Sequence, residues 1–396
     1  MTNTRFPCDT TPTRIGESAQ GTVVVASIDR RTTKDGKPYA VIGLANALGK
    51  TTVRVWSDRL DEWRDVGVGT PLHVRCSAVS SFPDGLAWSV DDLAILAATH
   101  PVAEESVPPC PVSAERLYDR TRALLERCSP AALALLHVLL HTALEWGDGL
   151  RETIANRWRR WPAAVGHHHA VRHGLWWHSV QVTEGALALA SVLDGDGPVS
   201  LNTDVVVLGG LLHDAGKIDE LRAGGGIGDA GRLATHILWG AVRLKEALTR
   251  AEHAGFVMTP EQGTLFDDVM HVVASHHNLA EWGSNVRPAS REAWLLHAAD
   301  LASAHVEKGA QAARSGTRVA EHWVQPVGGW ARDAVRITPV ASDRCAPDAV
   351  LPTIACLVAD DVPPAPPPVV TAAPPSGQDT LLSLLVPFPS DAETRA

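Results

Sequence analysis

No apolar run in this 396-residue chain reaches the roughly 18 residues that a membrane span requires. Its first residues, MTNTRFPCDTTPTRIGES, lack the apolar core of a secretory signal. The six cysteines, at positions 8, 76, 110, 128, 345 and 356, include no CxxC pair. That spacing fits reduced thiols better than a disulfide framework or a zinc ribbon, so a cytoplasmic protein is expected, with no membrane partner. An excess of positive charge is also missing. The formal net charge is −10, which argues against coating nucleic acid by bulk electrostatics but leaves open an enzyme that grips a strand locally. From Asp360 onward there are five acids and one arginine, so −4 of the −10 belongs to the C-terminal tail.

With 45% hydrophobic and 20% charged residues the composition is that of an ordinary globular protein, long enough for two or three domains. Five β-rich runs, GTVVVASIDRRTT, KPYAVIGLANA, KTTVRVWSD, TPLHVRCSAVSSF and LAWSVDDLAIL, alternate with turn signals such as Asp35-Gly36 and Gly67-Val68-Gly69. Five short strands in one stretch predict a small barrel of OB type, with a plain sandwich fragment as the alternative. From Ser113 the period becomes helical. Ser113 and Ser129 are expected N-caps, the latter followed by Pro130 at the first helical position. The expected architecture is multidomain α+β. A flexible N-terminus (1–19) precedes the barrel (20–97), a proline-containing linker (98–112) and an all-α domain (113–312). An irregular extension (313–359) and a disordered tail (360–396) follow; residues 360–375 alone hold seven prolines.

Chemistry concentrates in the helical part. His178, the pair His213-Asp214, His236, the pair His276-His277 and Asp300 are imidazoles and carboxylates, the side chains that hold divalent cations. Neighbours on a helix diverge by about 100°, so a His-Asp doublet inside the apolar run VVVLGGLLHDAGKIDEL can turn inward as a pair only where several helices meet. Seven donors suffice for a dinuclear site. Asp214 would bridge, with His178, His213 and Asp300 completing one cation and His236, His276 and His277 the other. Oxygen and imidazole donors suit Mn, Mg, Fe or Zn, and two such ions would serve an in-line phosphoryl displacement. Lys217, three residues after Asp214, is expected to face a substrate oxygen as a catalytic cation beside it. A single histidine among the 18 is more often structural than a ligand. His73, His100, His253 and His305 therefore stay unassigned.

The series His178, His213-Asp214 and Asp300 resembles the HD superfamily of metal-dependent phosphohydrolases, and His236 with His276-His277 resembles its two-metal branch. WPAAVGHHHAVRHGLWWHS is similar to the PAA-x-x-x-HHA-x-x-x-GL-x-x-H signature of YhaM-type 3′→5′ exoribonucleases. SHHNLAEWGSNVRPASREAWLLHAADLASAHVE resembles that family's SHHG-x-x-EWGSPV-x-P-x-x-x-EA-x-x-LH-x-AD run, and KDGKPYAVIGLANALGKTTVRVW resembles a stretch of its N-terminal OB fold. The resemblance covers about residues 20–310. It implies a helical HD domain with a dinuclear centre, manganese first among the cations, that removes nucleotides from the 3′ end of single-stranded RNA, and of DNA as an extension. It also implies that the seven donors are metal ligands and that His168 and His169, matching the HHA pair, face substrate phosphate. Whether both His276 and His277 touch metal stays open. Three departures, Asn278 for Gly, Asn285 for Pro and His173 for Gly, are expected to bear on substrate preference rather than on chemistry.

Single strands are held by aromatic stacking in a locally positive groove. In the barrel Tyr39, Trp56, Phe82 and Trp88 are candidates, flanked by Arg30, Arg31, Lys34, Lys37 and Arg54, although barrel aromatics are core more often than not. In RWRRWP, Arg157 and Arg160 are candidates to line a strand entrance, the alternative being a basic helix end packed on the barrel. Gln262–Phe266 and Gln378–Leu382 resemble peptides that dock on bacterial sliding clamps, the second presented by the tail. The expected partner is thus a single-stranded nucleic acid, with a clamp contact through Gln378–Leu382; a homo-oligomer stays open. Two other functions stay open as well: a small-nucleotide phosphohydrolase, against which the barrel argues, and a relaxase-like DNA-processing protein of a mobile element.

Overall fold

Alternation of inward and outward side chains builds the first part of the molecule. The computed structural model describes residues 14–315 apart from 47–48, 83–84, 98–99, 106, 148, 167 and 195–199, and also 317–320, 323–325 and 335–336. Strands β1 (Ser18–Thr32), β2 (Pro38–Asn46), β3 (Gly49–Trp56), β4 (Pro71–Phe82) and β5 (Gly85–Ile95) fall on the five β-rich runs. They close into a barrel of order β1-β2-β3-β5-β4, with β1 also pairing β4 and with β3 and β5 parallel. This is the OB-type barrel expected. Closure depends on the length of β1, whose first half (Ser18–Val24) pairs with β4 and whose second half pairs with β2. A register shift between Val25 and Ser27 lets the strand bend from one partner to the other. Along β3, Thr51, Val53 and Val55 point inward while Thr52, Arg54 and Trp56 point out. Val23, Val25, Ile42, Leu44, Val53, Leu72, Val74 and Trp88 fill the interior.

The helical part follows a short helix α1 (Pro101–Glu105). The Ser113 hydroxyl accepts from the Arg116 amide to cap α2 (Ala114–Leu125), and Ser129 accepts from Ala132 to cap α3 (Pro130–His141) with Pro130 at its start. One departure from an all-helical domain follows. Strands β6 (Ala143–Glu145) and β7 (Arg151–Thr153) form a small antiparallel hairpin before α4 (Ile154–Arg160), tied by the Trp146 indole donating to the Glu152 carbonyl. Periodicity over three-residue strands is too short to be read in a sequence.

The remaining helices are α5 (Gly174–Leu193), α6 (Thr203–Leu212), α7 (Lys217–Glu220), α8 (Asp229–Leu233), α9 (His236–His253), α10 (Pro260–Ser275) and α11 (Arg291–Ser315). Helix α6 is apolar on every side, and each residue from Val205 to Leu212 is buried. An all-round apolar helix belongs at the centre of a bundle, and α5 and α10 pack on it. A Cβ at Gly210 would collide with Thr183 of α5, so this glycine permits the close approach of the two helices. Among the described residues no helix is long and apolar enough to cross a membrane.

The described residues up to His305 make one compact unit and those from Val306 a second. In the second, β8 (Thr317–Ala320), β9 (Trp323–Gln325) and β10 (Val335–Arg336) form a three-stranded antiparallel sheet, where an irregular extension was expected. Of the N-terminus expected to be flexible (1–19), residues 1–13 lie outside the described residues, as does the proline-rich tail, while Ser18 and Ala19 already belong to β1.

Candidate metal centre

Helix ends supply most of the clustered side chains. His213 is the C-cap of α6 and Asp214 follows it; His276 is the C-cap of α10 and His277 follows it; His236 opens α9. Where a helix stops, consecutive residues no longer diverge by a fixed angle, so both members of a doublet reach one space. His178 comes from α5 and Asp300 from α11. Lys217 is the first residue of α7, a turn after α6 has ended, so it is close to Asp214 without sharing its helix as expected.

Asp214 is the centre of the cluster. Its Oδ2 lies 3.2 Å from His178 Nε2 and 3.4 Å from His213 Nε2, and its Oδ1 lies 3.3 Å from His236 Nε2 and 3.7 Å from His276 Nε2. Asp300 Oδ1 is 3.0 Å from His178 Nε2, and its Oδ2 is 4.0 Å from His277 Nε2. The donors gather in three overlapping sets: His178 with His213 and Asp214, His236 with His276 and His277, and His213 with His276 and Asp300.

Every imidazole is oriented by its other nitrogen. Nδ1 of His213 donates to Gly210 O, that of His276 to Val273 O and that of His277 to Trp282 O. His236 Nδ1 meets Glu220 Oε2 at 2.5 Å, and His178 Nδ1 meets Ser303 Oγ at 3.2 Å. With Nδ1 engaged, Nε2 carries the lone pair inward. The Nε2 atoms of His178, His213, His236 and His276 and Asp214 Oδ1 are buried without a hydrogen-bond partner, while Asp214 Oδ2 is paired with the Lys217 ammonium at 2.6 Å. Five orphaned donor atoms facing one another are costly in a folded protein unless a cation satisfies them. The residues present therefore fit divalent metal.

The electrostatics agree. Burial opposes the Asp214 charge, but the Lys217 ammonium and the surrounding imidazoles hold its carboxyl well below the usual range. The same pairing, against burial, raises Lys217. Burial first, and then the neighbouring imidazoles, push His276 and His277 down, which keeps them neutral and able to donate a lone pair. Burial works against a proton on His213, yet the Asp214 and Asp300 carboxylates raise it. Glu220 is lowered by its bonds to His236 despite burial.

The proposed substrate contacts are placed unevenly. His168 lies at the edge of the cluster, its ring 5.7 Å from that of His178. His169 is buried beside Trp177, with Nε2 on Gln181 Oε1, so it sits behind His178 instead of facing phosphate. Burial and then the Lys217 and His178 charges lower His168 to about 3, and burial with the His178 and His168 charges lowers His169 to about 2. Trp88 is 3% exposed and belongs to the barrel core, whereas Trp56 is 49% exposed and pairs with Tyr39 at 5.3 Å between ring centroids. Phe82's side chain lies outside the described residues. Arg157 is also no strand contact: it is buried, bonded to Glu152 and stacked 4.3 Å over the Trp146 ring. Arg160 bonds Glu152 and Glu104, so its charge is compensated inside the fold. The RWRRWP segment is a helix end whose Arg157 and Arg160 engage the β6–β7 hairpin and α1, where packing on the barrel was the alternative expected. Gln262, Leu265 and Phe266 are buried in α10, Gln262 in its capping box, so this stretch is no docking peptide. Gln378–Leu382 lies outside the described residues.

Sequence reasoning missed the side chains behind the donors: Glu220, Ser303, Gln181 and His297, whose Nδ1 donates to His276 O. Only the spacing of Glu220, three residues past Lys217, carried a signal. Two departures from the resembled pattern share a backbone feature. His173 (φ 60°) and Asn278 (φ 65°) occupy left-handed positions, where glycine is the favoured residue and Asn the best replacement.

Comparison with known proteins agrees with this geometry. Residues 175–305 match the HD domain family. The chain is 27% identical over 295 residues to the 3′-5′ exoribonuclease YhaM of Oceanobacillus iheyensis, spanning 73% of this chain and 85% of that protein. It is 25% identical over 296 residues to the YhaM exoribonuclease of Listeria monocytogenes, spanning 73% and 86%. For that of a Geobacillus species the figures are 25% over 292 residues, spanning 72% and 82%. Residues 175–305 of the helical part are thus similar to an HD domain and follow a five-stranded barrel, in the arrangement that the sequence resemblance implied.

Proposed function

We propose that this chain is a metal-dependent exonuclease that hydrolyses single-stranded RNA from its 3′ end, with the HD domain as the hydrolytic centre and the barrel as the strand grip. One observation supports this above the others: the two oxygens of Asp214 face two different sets of unpartnered imidazoles. A carboxylate so divided suits a bridge between two cations, with His178, His213 and Asp300 beside one and His236, His276 and His277 beside the other. A bound pair of divalent ions, manganese first and Mg, Fe or Zn as alternatives, would lower the pKa of the attacking water and steady both oxygens of an in-line displacement.

The chain's own residues supply the rest. Lys217 neutralises Asp214 and, 12% exposed beside it, would be the cation available to a substrate oxygen that develops charge. Gln181 and Ser303 hold His178, and Trp282 O holds His277, so the donors are preorganised before substrate arrives. Trp56 and Tyr39, with Arg54, Arg30 and Lys37 on the outer barrel surface, are the stacking and charge elements for a strand. The relatives, named as 3′-5′ exoribonucleases, span most of their length in the alignment and support the substrate class and polarity. The domain limits read from sequence and a cytoplasmic location belong to the same proposal.

The test is cleavage of 3′- and 5′-labelled single-stranded RNA and DNA with Mn, Mg, Zn or chelator. A ladder from the 3′ end that disappears with chelator is the expected result. Discrete internal cuts would favour a relaxase-like protein, and cleavage of free nucleotides alone would favour a small-molecule phosphohydrolase.

A further inference from the structure

The segment between α7 and α8 joins the cluster to the barrel. Glu220, the last residue of α7, receives two bonds at one oxygen: the His236 amide at 2.6 Å and His236 Nδ1 at 2.5 Å. It therefore caps α9, for which Thr235 makes no side-chain cap, and also sets the tilt of the imidazole. The chain then makes a tight loop. Leu221 bridges Ile227, the Arg222 amide donates to Gly226 O, and the Gly228 amide returns to Glu220 O.

This loop is pressed backbone-to-backbone against the barrel turn Gly67–Thr70. Arg222 Nη1 donates to Thr70 Oγ1 at 2.8 Å and to Val68 O at 3.3 Å. Gly69 (φ +84°) could carry no Cβ without striking Gly225 O, and Gly226 (φ +84°) none without striking Val68 O. The barrel turn is itself fixed to β1, since Gly69 N donates to Val25 O and Val25 N to Thr70 O. No residue of this path belongs to the donor set, yet it ends on the carboxylate that orients one donor.

We propose that Glu220 is a positioning residue for the His236 half of the centre and that the barrel, through Thr70 and Arg222, holds it in place. The inference rests on the reading of the cluster as a two-cation site. Cation affinity at His236, His276 and His277 then depends on how the barrel is seated, while the His178, His213 and Asp300 half does not. A strand that loads on the barrel acts on the same strut that sets the second cation.

The experiment measures Mn²⁺ binding to the full chain by calorimetry, with Mn²⁺ electron paramagnetic resonance to separate paired from single ions. The variants are Glu220→Ala, Glu220→Gln, Arg222→Ala, Thr70→Val and Thr70→Ser. For the wild type we expect two ions per chain. Glu220→Ala, Arg222→Ala and Thr70→Val should weaken one ion by roughly ten- to a hundredfold, the usual effect of removing the group behind a ligand, and leave the other unchanged. Glu220→Gln, whose amide oxygen still accepts, and Thr70→Ser, which keeps the hydroxyl, should restore much of the loss. Retention of the first ion shows that the variant is folded. Two ions of wild-type affinity in both Arg222→Ala and Thr70→Val overturn the coupling. Equal weakening of both ions overturns it too. A wild type that takes up no Mn²⁺ instead refutes the two-cation reading, and this inference falls with it.

Discussion

Lys217 Nζ lies 2.6 Å from Asp214 Oδ2, and the carboxylate is only 1% exposed. A buried ammonium beside the proposed bridging carboxylate does two opposed things. It compensates the acid before metal arrives, and it repels the cations that follow. Lys217→Met should therefore bind Mn²⁺ at least as tightly as the wild type while kcat falls by about a hundredfold, the order found when one electrostatic stabiliser is removed. Calorimetry with single-turnover cleavage separates the two effects. Joint loss of metal and rate would mean that Lys217 serves only to fold the site.

Asp214→Asn removes the charge between the two imidazole sets and keeps the side-chain volume. Metal uptake should be lost, and with it the thermal stabilisation that metal confers. For the wild type that gain should be about 2.7 kcal/mol at a hundredfold excess over Kd. Circular dichroism should show an unchanged helical signal, and cleavage should drop by at least about a hundredfold. A melting temperature that still rises with Mn²⁺ in this variant would place the cations elsewhere.

Two strand tryptophans of the barrel, Trp56 and Trp88, should separate binding from stability. Trp56 is half exposed over Tyr39, and a base stacked on an aromatic contributes about 1–3 kcal/mol. Trp56→Ala should raise KM for an oligonucleotide by roughly five- to a hundredfold, with little change in kcat or melting temperature. Trp88 is enclosed by the barrel core, and its truncation to alanine should cost about 3–5 kcal/mol of stability. If Trp56→Ala leaves KM unchanged, the strand runs over another face.

These cases show what a sequence can carry. The donors were legible because imidazole and carboxylate doublets interrupt otherwise apolar helices, and five alternating runs are enough for a barrel. Burial of a particular tryptophan or arginine was not legible. Trp56 follows the outward alternation of β3 with Thr52 and Arg54, whereas Trp88 of β5 lies opposite the inward Val53 and is buried with it. Arg157 looked like a strand contact because its partner Glu152 lies on a hairpin too short for periodicity to reveal. Glu220 was hidden for a different reason: its partner His236 is 16 residues away and meets it only when the glycine-rich loop folds back. The left-handed backbone at His173 and Asn278 likewise became visible only with dihedral angles.

Cys128 offers a test of pH dependence away from the cluster. Burial, and then the Asp204 carboxylate, push its thiol from 9.0 up to about 12, and its Sγ lies 3.8 Å from Leu124 O. The thiolate is the nucleophile, so at pH 8 only about one molecule in ten thousand would be reactive at this position, against roughly one in ten for a thiol at 9.0. Iodoacetamide at pH 8, read by peptide mass spectrometry, should leave Cys128 unmodified in the folded protein and label it after denaturation. The sign for stability follows from the same shift. The folded state keeps the proton that the unfolded chain releases near its ordinary value, so the contribution is whole below pH 9.0. It declines as the pH rises from there toward about 12. Asp204→Asn removes the charge but not the burial, so it should recover only part of the reactivity. Rapid labelling of native Cys128 at pH 8 would show that the α2–α3 corner opens far more readily than this packing allows.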